Sequence, residues 1–109
     1  MLLLLTPAGT ARPAGPGDEV LAALQGELDA GTVGALRDRV FPLLDPAPAR
    51  LVLDVSRVTA LGRAGIRTLV AIRRKCASAG VRLVLRSPSP TVRRRLSAGR
   101  LDGFFEIEA

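Results

Sequence analysis

A turn at residues 61–65 carries the clearest potential for binding chemistry in this chain. It follows the apolar run 51–55 and leads directly into a segment with apolar residues at helical spacing. A helix that begins there presents its unpaired backbone N–H groups and the positive end of its dipole to whatever the turn contacts. The predicted binding residues are therefore Leu61, Gly62, Arg63, Ala64, Gly65 and, one helical turn further, Arg67.

Residues able to carry catalysis or hold a cofactor are scarce. The sequence contains no histidine, so a Ser-His-Asp or Cys-His mechanism is excluded. No cluster of cysteine and carboxylate residues has metal-ligand spacing, and there is no P-loop or G-x-G-x-x-G motif. Asp54 has no evident acid or base partner and is predicted to be a structural, hydrogen-bonding carboxylate. We therefore expect no catalytic residue, no metal, no cofactor and no enzymatic activity.

Length and composition predict one globular domain. A chain of 109 residues with 48% apolar content can bury one core but not two. No apolar run approaches the roughly 18–20 residues of a membrane span, and the N-terminal MLLLL run is too short for a signal peptide. Cys76 is the single cysteine, which excludes an intrachain disulfide and fits a reducing compartment. We expect a cytoplasmic protein without membrane insertion, with Cys76 buried and inert.

Charge is distributed unevenly along the chain. Residues 1–49 carry three basic and six acidic side chains, whereas residues 50–109 carry thirteen basic and four acidic ones. This asymmetry favours an acidic partner or surface for the second half. The basic clusters at 73–75 and 93–95 have no interleaved aromatic platform and no nucleic-acid motif, so we interpret them as solvated helix faces. No nucleic-acid partner is expected.

The order of elements follows from apolar periodicity and from turn residues. The pattern predicts an α/β fold in the order β-β-α-β-α-β-α-β, with the strand at 51–55 buried on both faces. Asp29 or Thr32 would cap the first helix, Pro42 would distort or end it, and Ser89 would cap the third. Strands are expected at 2–5, 20–25, 51–55 and 81–85, a Pro- and Gly-rich loop at 6–17, helices over about 31–44, 63–80 and 89–99, and a last strand or apolar tail with Phe104, Phe105 and Ile107 that closes the core.

The segment around the turn resembles the signature of STAS domains (sulfate transporter and anti-sigma factor antagonist), which reads L-D-L-S-x-V-x-x-h-D-S-S-G-h, where h is apolar. The D-S-S stretch departs from it and reads Gly62, Arg63 and Ala64. Further family landmarks are the G-E-L-D sequence near residue 26 and P-S-P-x-V-R-R-x-L near residue 88, so residues 1–109 resemble one STAS domain. The resemblance implies a mixed β-sheet with helices packed largely on one face. The matching residues are Leu53, Asp54, Val55, Ser56, Val58, Leu61, Gly65 and Ile66.

The resemblance implies a protein-interaction role. In the antagonists of this family, a serine at the helix start binds an anti-sigma factor with kinase activity, and its phosphorylation breaks the complex. That phosphoserine corresponds to Ala64, which has no hydroxyl. We therefore expect binding to an anti-sigma factor of the serine-kinase type, or to another STAS protein, without phosphorylation control at residue 64. A homodimer is compatible with this prediction.

Two residues of the turn are unfavourable for helix stability alone. Arg63 places a cation in the first turn of a helix, which opposes the dipole by about 0.3–1 kcal/mol. Gly62 replaces an aspartate that would cap the helix, and the loss of such a cap costs about 1 kcal/mol, less when glycine replaces it. Contact between Arg63 and an acidic residue of a partner would explain the arginine.

Other interpretations remain open from the sequence. The turn is a plain helix start in the simplest of them. The family resemblance also permits a cytoplasmic STAS subunit of a lipid or anion transporter complex. A third alternative is an anion or nucleotide site at the helix start that uses Arg63. Thr68 lies one turn beyond Ala64 and is an alternative phosphate acceptor, although a structural role is favoured.

Overall fold

The computed structural model describes the backbone of residues 2–7 and the whole of residues 17–109. The element order β-β-α-β-α-β-α-β is confirmed. The predicted loop at 6–17 is wrong at its start, because the first strand continues to Pro7, and its residues 8–16 lie outside the described residues. The elements are β1 (Leu2–Pro7), β2 (Glu19–Leu28), α1 (Val33–Val40), a 3-10 turn (Phe41–Leu44), β3 (Arg50–Leu61), α2 (Arg63–Ala79), β4 (Arg82–Arg86), α3 (Pro90–Ala98) and β5 (Glu106–Glu108).

The five strands form one mixed sheet in the order β1-β2-β3-β4-β5. β1 pairs with β2 in antiparallel fashion, and every later pair is parallel. Each parallel pair is joined through a helix, because parallel neighbours need a crossover. The mixed α/β sheet predicted from the sequence is therefore confirmed.

The helices cover one face of this sheet. Alternate residues of the parallel strands, such as Ala22, Leu53 and Leu85, join the apolar residues of the helices in one core cluster. Val52 and Val84, which have the opposite parity, are also fully buried but lie outside that cluster. Burial of β3 on both faces is thus confirmed. The helices contribute Leu36, Val40, Leu69, Ile72, Cys76, Val92 and Leu96 to the core.

The face of the sheet without helices carries a ladder of ion pairs. Arg50 contacts Glu19 at 2.9 Å and Glu108 at 3.3 Å, which links β2, β3 and β5. Arg86 Nε donates to Glu108 at 2.7 Å, and this hydrogen bond, more than the charge of the arginine, lowers the pKa of Glu108. The ladder holds the three-residue strand β5 on the sheet. Because its pKa is lowered, Glu108 keeps its charge, and its ion pairs, to a lower pH than an ordinary glutamate would.

β2 and β3 are longer than predicted. β3 continues from residue 55 to Leu61 as the partner of the second half of β2, through two register shifts. The sequence pattern missed this extension because exposed polar residues, Ser56, Arg57 and Thr59, interrupt the apolar run. The extension matters for function, since it carries β3 up to the start of α2.

The ends of the first and third helices follow local chemistry. α1 ends at Val40, and the tighter turn after it contains Pro42, whose ring removes a backbone donor; the predicted distortion is confirmed. Thr32 occupies the N-cap, but neither its hydroxyl nor the Asp29 carboxylate caps α1, so that prediction is wrong. The Thr32 hydroxyl donates to Glu27 O at 2.8 Å instead. Ser89 does cap α3, accepting a hydrogen bond from Val92 N at 3.3 Å.

The C-terminal aromatic residues have different environments. Phe105 is 4% exposed and belongs to the core, whereas Phe104 is 38% and Ile107 is 37% exposed. The prediction that all three close the core is therefore wrong for Phe104 and Ile107. Phe104 packs edge-on against Phe105, with ring centroids 5.1 Å apart, and lies under the guanidinium of Arg73. Among the described helices, none combines the length and the apolar character that a membrane crossing requires.

Candidate partner-docking site

The docking turn, residues 61–65, connects the end of β3 to the start of α2. Gly62 is the N-cap residue, with extended backbone angles of −82° and 177°. Its N–H donates to Leu28 O at 2.9 Å, and its carbonyl accepts from Ile66 N at 3.0 Å. The turn is thereby tied to the last residue of β2 on one side and to the first turn of α2 on the other.

Gly65 lets α2 approach the end of β2 closely. A Cβ at this position would lie 2.5 Å from Leu28 O and 2.8 Å from Leu61 Cδ1, distances that real Cβ atoms do not adopt. Gly65 and Leu61 are both buried. Both residues belong to the predicted partner-binding set, but in the structure their side-chain positions lie in the interior. They shape the turn, and a partner on the surface would meet their neighbours.

The exposed part of the site is basic. Arg63 and Arg67 are exposed and lie one helical turn apart on the same face of α2, while Ala64 between them is half-buried. The first turn of α2 contains no acidic residue, and no side chain caps its N–H groups. The start of α2 therefore combines the positive end of the helix dipole with two guanidinium groups that have no partner in the described part of the chain.

α3 and its N-cap residue form hydrogen bonds with the end of β3, next to the docking turn. β4 pairs with β3 only as far as Asp54, and polar groups of α3 then bind the carbonyls of β3. Ser89 Oγ donates to Val58 O at 2.7 Å, and Arg95 Nε donates to Leu61 O at 2.9 Å. Residues 93–95 are exposed, as the interpretation of a solvated face requires, and Arg95 makes an additional contact with the turn that the sequence did not indicate. No sequence periodicity could have indicated a contact across 34 residues.

Three further residues have structural roles. Thr68 is 1% exposed, and its hydroxyl donates to Ala64 O at 2.9 Å, so a kinase has no access to it in the folded domain. Asp54 accepts a hydrogen bond from Ser56 N at 2.9 Å, as expected of a structural carboxylate. Cys76 is fully buried, and burial raises the pKa of its thiol to about 11 despite the nearby charge of Arg73. The reactive thiolate is therefore suppressed at neutral pH.

Possible metal ligands were sought across the described residues. No group of three or more His, Cys, Asp and Glu side chains among them could hold a metal ion.

Restoring a cap at the docking turn should stabilise the domain. Gly62 has the backbone angles of an N-cap, and a Cβ there would lie 3.7 Å from Leu28 O, an ordinary contact. Gly62→Asp would add a side-chain acceptor for the first N–H groups and a negative charge at the positive dipole end. Since the new Cβ would lie 3.9 Å from that of Asp29, whose carboxylate repels the added charge, we expect the free energy of unfolding to rise by only about 0.3–0.5 kcal/mol in urea denaturation. A fall in stability would show that this repulsion outweighs the cap.

Similarity to known proteins agrees with this geometry. The family model of the STAS domain matches residues 14–109, and the chain belongs to the STAS domain family. It is 28% identical over 98 residues to a STAS-domain containing protein of Pseudomonas aeruginosa, a match that covers 90% of this chain and 96% of that protein. The prediction of a STAS-like α/β domain is therefore confirmed.

Two solved structures share the fold over most of the chain. A putative anti-sigma factor antagonist from Thermotoga maritima has a TM-score of 0.76 and 25% identity, covering 84% of this chain and 79% of that one. An anti-sigma factor antagonist from Mycobacterium paratuberculosis has a TM-score of 0.73 and 26% identity, covering 98% of this chain and 86% of that one. These similarities support a protein-interaction role for the domain.

Proposed function

We propose that this protein is a non-enzymatic, cytoplasmic interaction module that binds an anti-sigma factor of the serine-kinase type, or another STAS protein, through the start of α2. The observation that carries the proposal is the exposed first turn of α2 in a fold shared with anti-sigma factor antagonists. Arg63 and Arg67 are exposed there and have no internal partner among the described residues. A side-chain pair of this kind is available to another protein.

The proposal includes the loss of a phosphorylation switch at residue 64. Ala64 is half-buried and has no side-chain hydroxyl, and the nearest hydroxyl on α2, that of Thr68, is buried and hydrogen-bonded. A kinase partner would therefore have no acceptor at the docking turn. Binding would be constitutive or would follow the abundance of the two proteins.

A charge reversal at Arg63 tests the docking site. Arg63→Glu should weaken binding to a purified anti-sigma kinase from the same genome by about 1.5–3 kcal/mol, roughly 10–150-fold in Kd, because it puts a like charge against the partner's acidic group. Titration calorimetry measures this. The matched control is Arg74→Glu, an exposed arginine in the second half of the same helix, which should leave Kd nearly unchanged.

The same experiment separates the proposal from its main alternative. Equal affinity of the wild type and Arg63→Glu would mean that the start of α2 does not dock the kinase. If no anti-sigma kinase binds, and affinity capture followed by titration instead shows binding to the cytoplasmic part of a transporter, the protein is a transporter subunit and the antagonist proposal is wrong.

Restoring a hydroxyl at position 64 tests the lost switch. With radioactive ATP and the partner kinase, the wild type and Ala64→Ser should both remain unlabelled. Gly62 and Arg63 also differ from the D-S-S sequence that these kinases phosphorylate in the antagonists of the family. The positive control is a STAS antagonist that keeps the D-S-S sequence, incubated with its own kinase, because a substitution of Arg63 in this chain would also remove a proposed docking residue. Efficient labelling of the single variant would show that only the acceptor was lost, and labelling of the wild type would contradict the absence of control.

A further inference from the structure

We infer that the docking surface continues from α2 onto α3 and takes an acidic segment of the partner protein. The inference rests on the proposed function and adds to it both a residue and the chemistry of the partner. The surface, here called the basic face, consists of Arg63, Arg67 and Arg95. All three side chains are exposed, and Arg95 reaches the docking turn from a different helix.

The geometry of Arg95 leaves most of its guanidinium available. Within the described part of the chain its Nε alone donates a hydrogen bond, to Leu61 O at 2.9 Å. That hydrogen bond places the guanidinium beside the carbonyl that precedes the N-cap residue, Gly62. The two terminal amino groups have no partner among the described residues. They form the planar fork that binds a carboxylate through two parallel hydrogen bonds.

The charges of the basic face are offset only in part inside the domain. The ion pairs of the described residues involve Arg50, Arg82 and Arg86 on the opposite face of the sheet. Asp29 lies beside Gly62 and its carboxylate accepts from Gly31 N at 2.9 Å, so one negative charge stands near the three positive charges of the basic face. The start of α2 thus keeps a concentrated positive potential, and an acidic partner segment would complement it.

The local sequence choices point the same way. The N-cap is a glycine, the first helical residue is an arginine, and the first turn has no acidic side chain. Each choice leaves the start of α2 less stable than a serine or aspartate cap with an acidic first turn would, since negative charge stabilises a helix N-terminus and positive charge does not. A carboxylate supplied by a partner would relieve all three at once.

Two of the three cations at residues 73–75 of α2 contact aromatic rings within the domain. The guanidinium of Arg73 lies 5.4 Å from the centroid of the Phe104 ring, and the ammonium of Lys75 lies 5.4 Å from that of Phe41. These cations cover aromatic rings at the far end of the helix. An acidic segment should therefore prefer the basic face to residues 73–75, even though both are rich in positive charge.

The first test needs no knowledge of the partner. A ten-residue glutamate peptide is titrated into the isotope-labelled protein, with a glycine-serine peptide of the same length as control, and chemical shifts are recorded. We expect changes at the amides of residues 62–67 and at the Nε–H of Arg95. Changes centred on residues 73–75, or spread evenly over all arginines, would overturn the inference.

The second test uses the anti-sigma kinase. Arg95→Gln removes the charge but retains a side-chain donor for Leu61 O, so the turn keeps its support. We expect about a tenfold rise in Kd, which shrinks in roughly 0.5 M salt, whereas the neighbouring Arg94→Gln should change Kd less than about twofold. Gly62→Asp should also weaken binding although it stabilises the fold, a combination that a purely structural role would not produce.

The two tests keep the inference and the proposed function separate. If the kinase binds the wild type and Arg95→Gln equally well, the basic face is not used and the inference is wrong, while the proposed function stands. If no kinase binds but the glutamate peptide selects the basic face, the proposed function is wrong and the chemistry of the surface is upheld. If neither binds, both are wrong.

Discussion

Replacing Gly65 with alanine is expected to lower the free energy of unfolding by about 2–3 kcal/mol and the melting temperature by roughly 10–15 °C. The new methyl group would meet the backbone oxygen of Leu28 at 2.5 Å. That oxygen cannot move freely, because it also accepts the hydrogen bond from Gly62 N. The strain must therefore push the start of α2 away from the end of β2. Urea and thermal denaturation measure the effect.

A second glycine supplies the control. Gly34 lies in α1, and a Cβ there would meet nothing within 4 Å. Gly34→Ala should stabilise the domain by about 0.5–1 kcal/mol, since alanine is the better helix former. Opposite signs for the two substitutions would establish close packing as the cause. Small and equal changes in the free energy of unfolding would mean that the start of α2 can move away from β2 at little cost.

The Gly65 substitution also bears on binding. Displacement of the first turn would shift Arg63 and Arg67 relative to Arg95, which is anchored to Leu61 from α3. At a temperature where Gly65→Ala is still folded, its affinity for an anti-sigma kinase should fall together with its stability. Gly34→Ala should leave affinity unchanged. A stable fold with full affinity in Gly65→Ala would contradict the role of the glycine in shaping the docking turn.

Truncating Phe105 is the substitution with the second large effect. Phe105→Ala should lower the free energy of unfolding by about 3–4 kcal/mol, because it opens a cavity where a buried aromatic ring joins the core. The ring also precedes β5 directly, so its loss should loosen the ion-pair ladder that holds this strand. Urea denaturation and hydrogen exchange at the β4–β5 pairing would report both consequences.

The neighbouring aromatic residue is the matched control. Phe104→Ala should cost less, about 1–2 kcal/mol, because the ring is 38% exposed and makes one edge-on aromatic contact and one cation–π contact. A similar cost for the two substitutions would contradict the assignment of Phe105 alone to the core. A small effect of Phe105→Ala would show that the C-terminal segment contributes little to the stability of the domain.

The sequence by itself determined the features that depend on local chemistry. The order of elements, the distortion at Pro42, the cap at Ser89 and the burial of Cys76 follow from periodicity and from the conformational limits of single residues. The lack of a hydroxyl that could accept phosphate at residue 64 also follows from the sequence, because it depends only on which side chain stands there. Each of these inferences uses residues that are close in the chain.

The tertiary structure decided what depends on distant neighbours. Two residues of the predicted site, Leu61 and Gly65, are buried. The pairing of β2 with β3 brings Leu28 next to both of them. The tertiary structure buried Phe105 in the core but left Phe104 partly exposed, although both belong to one apolar stretch of the sequence. It also brought Arg95 to the docking turn, because α3 takes the place that β4 leaves vacant along β3. Contacts across 34 residues have no periodicity, and only the folded chain reveals them.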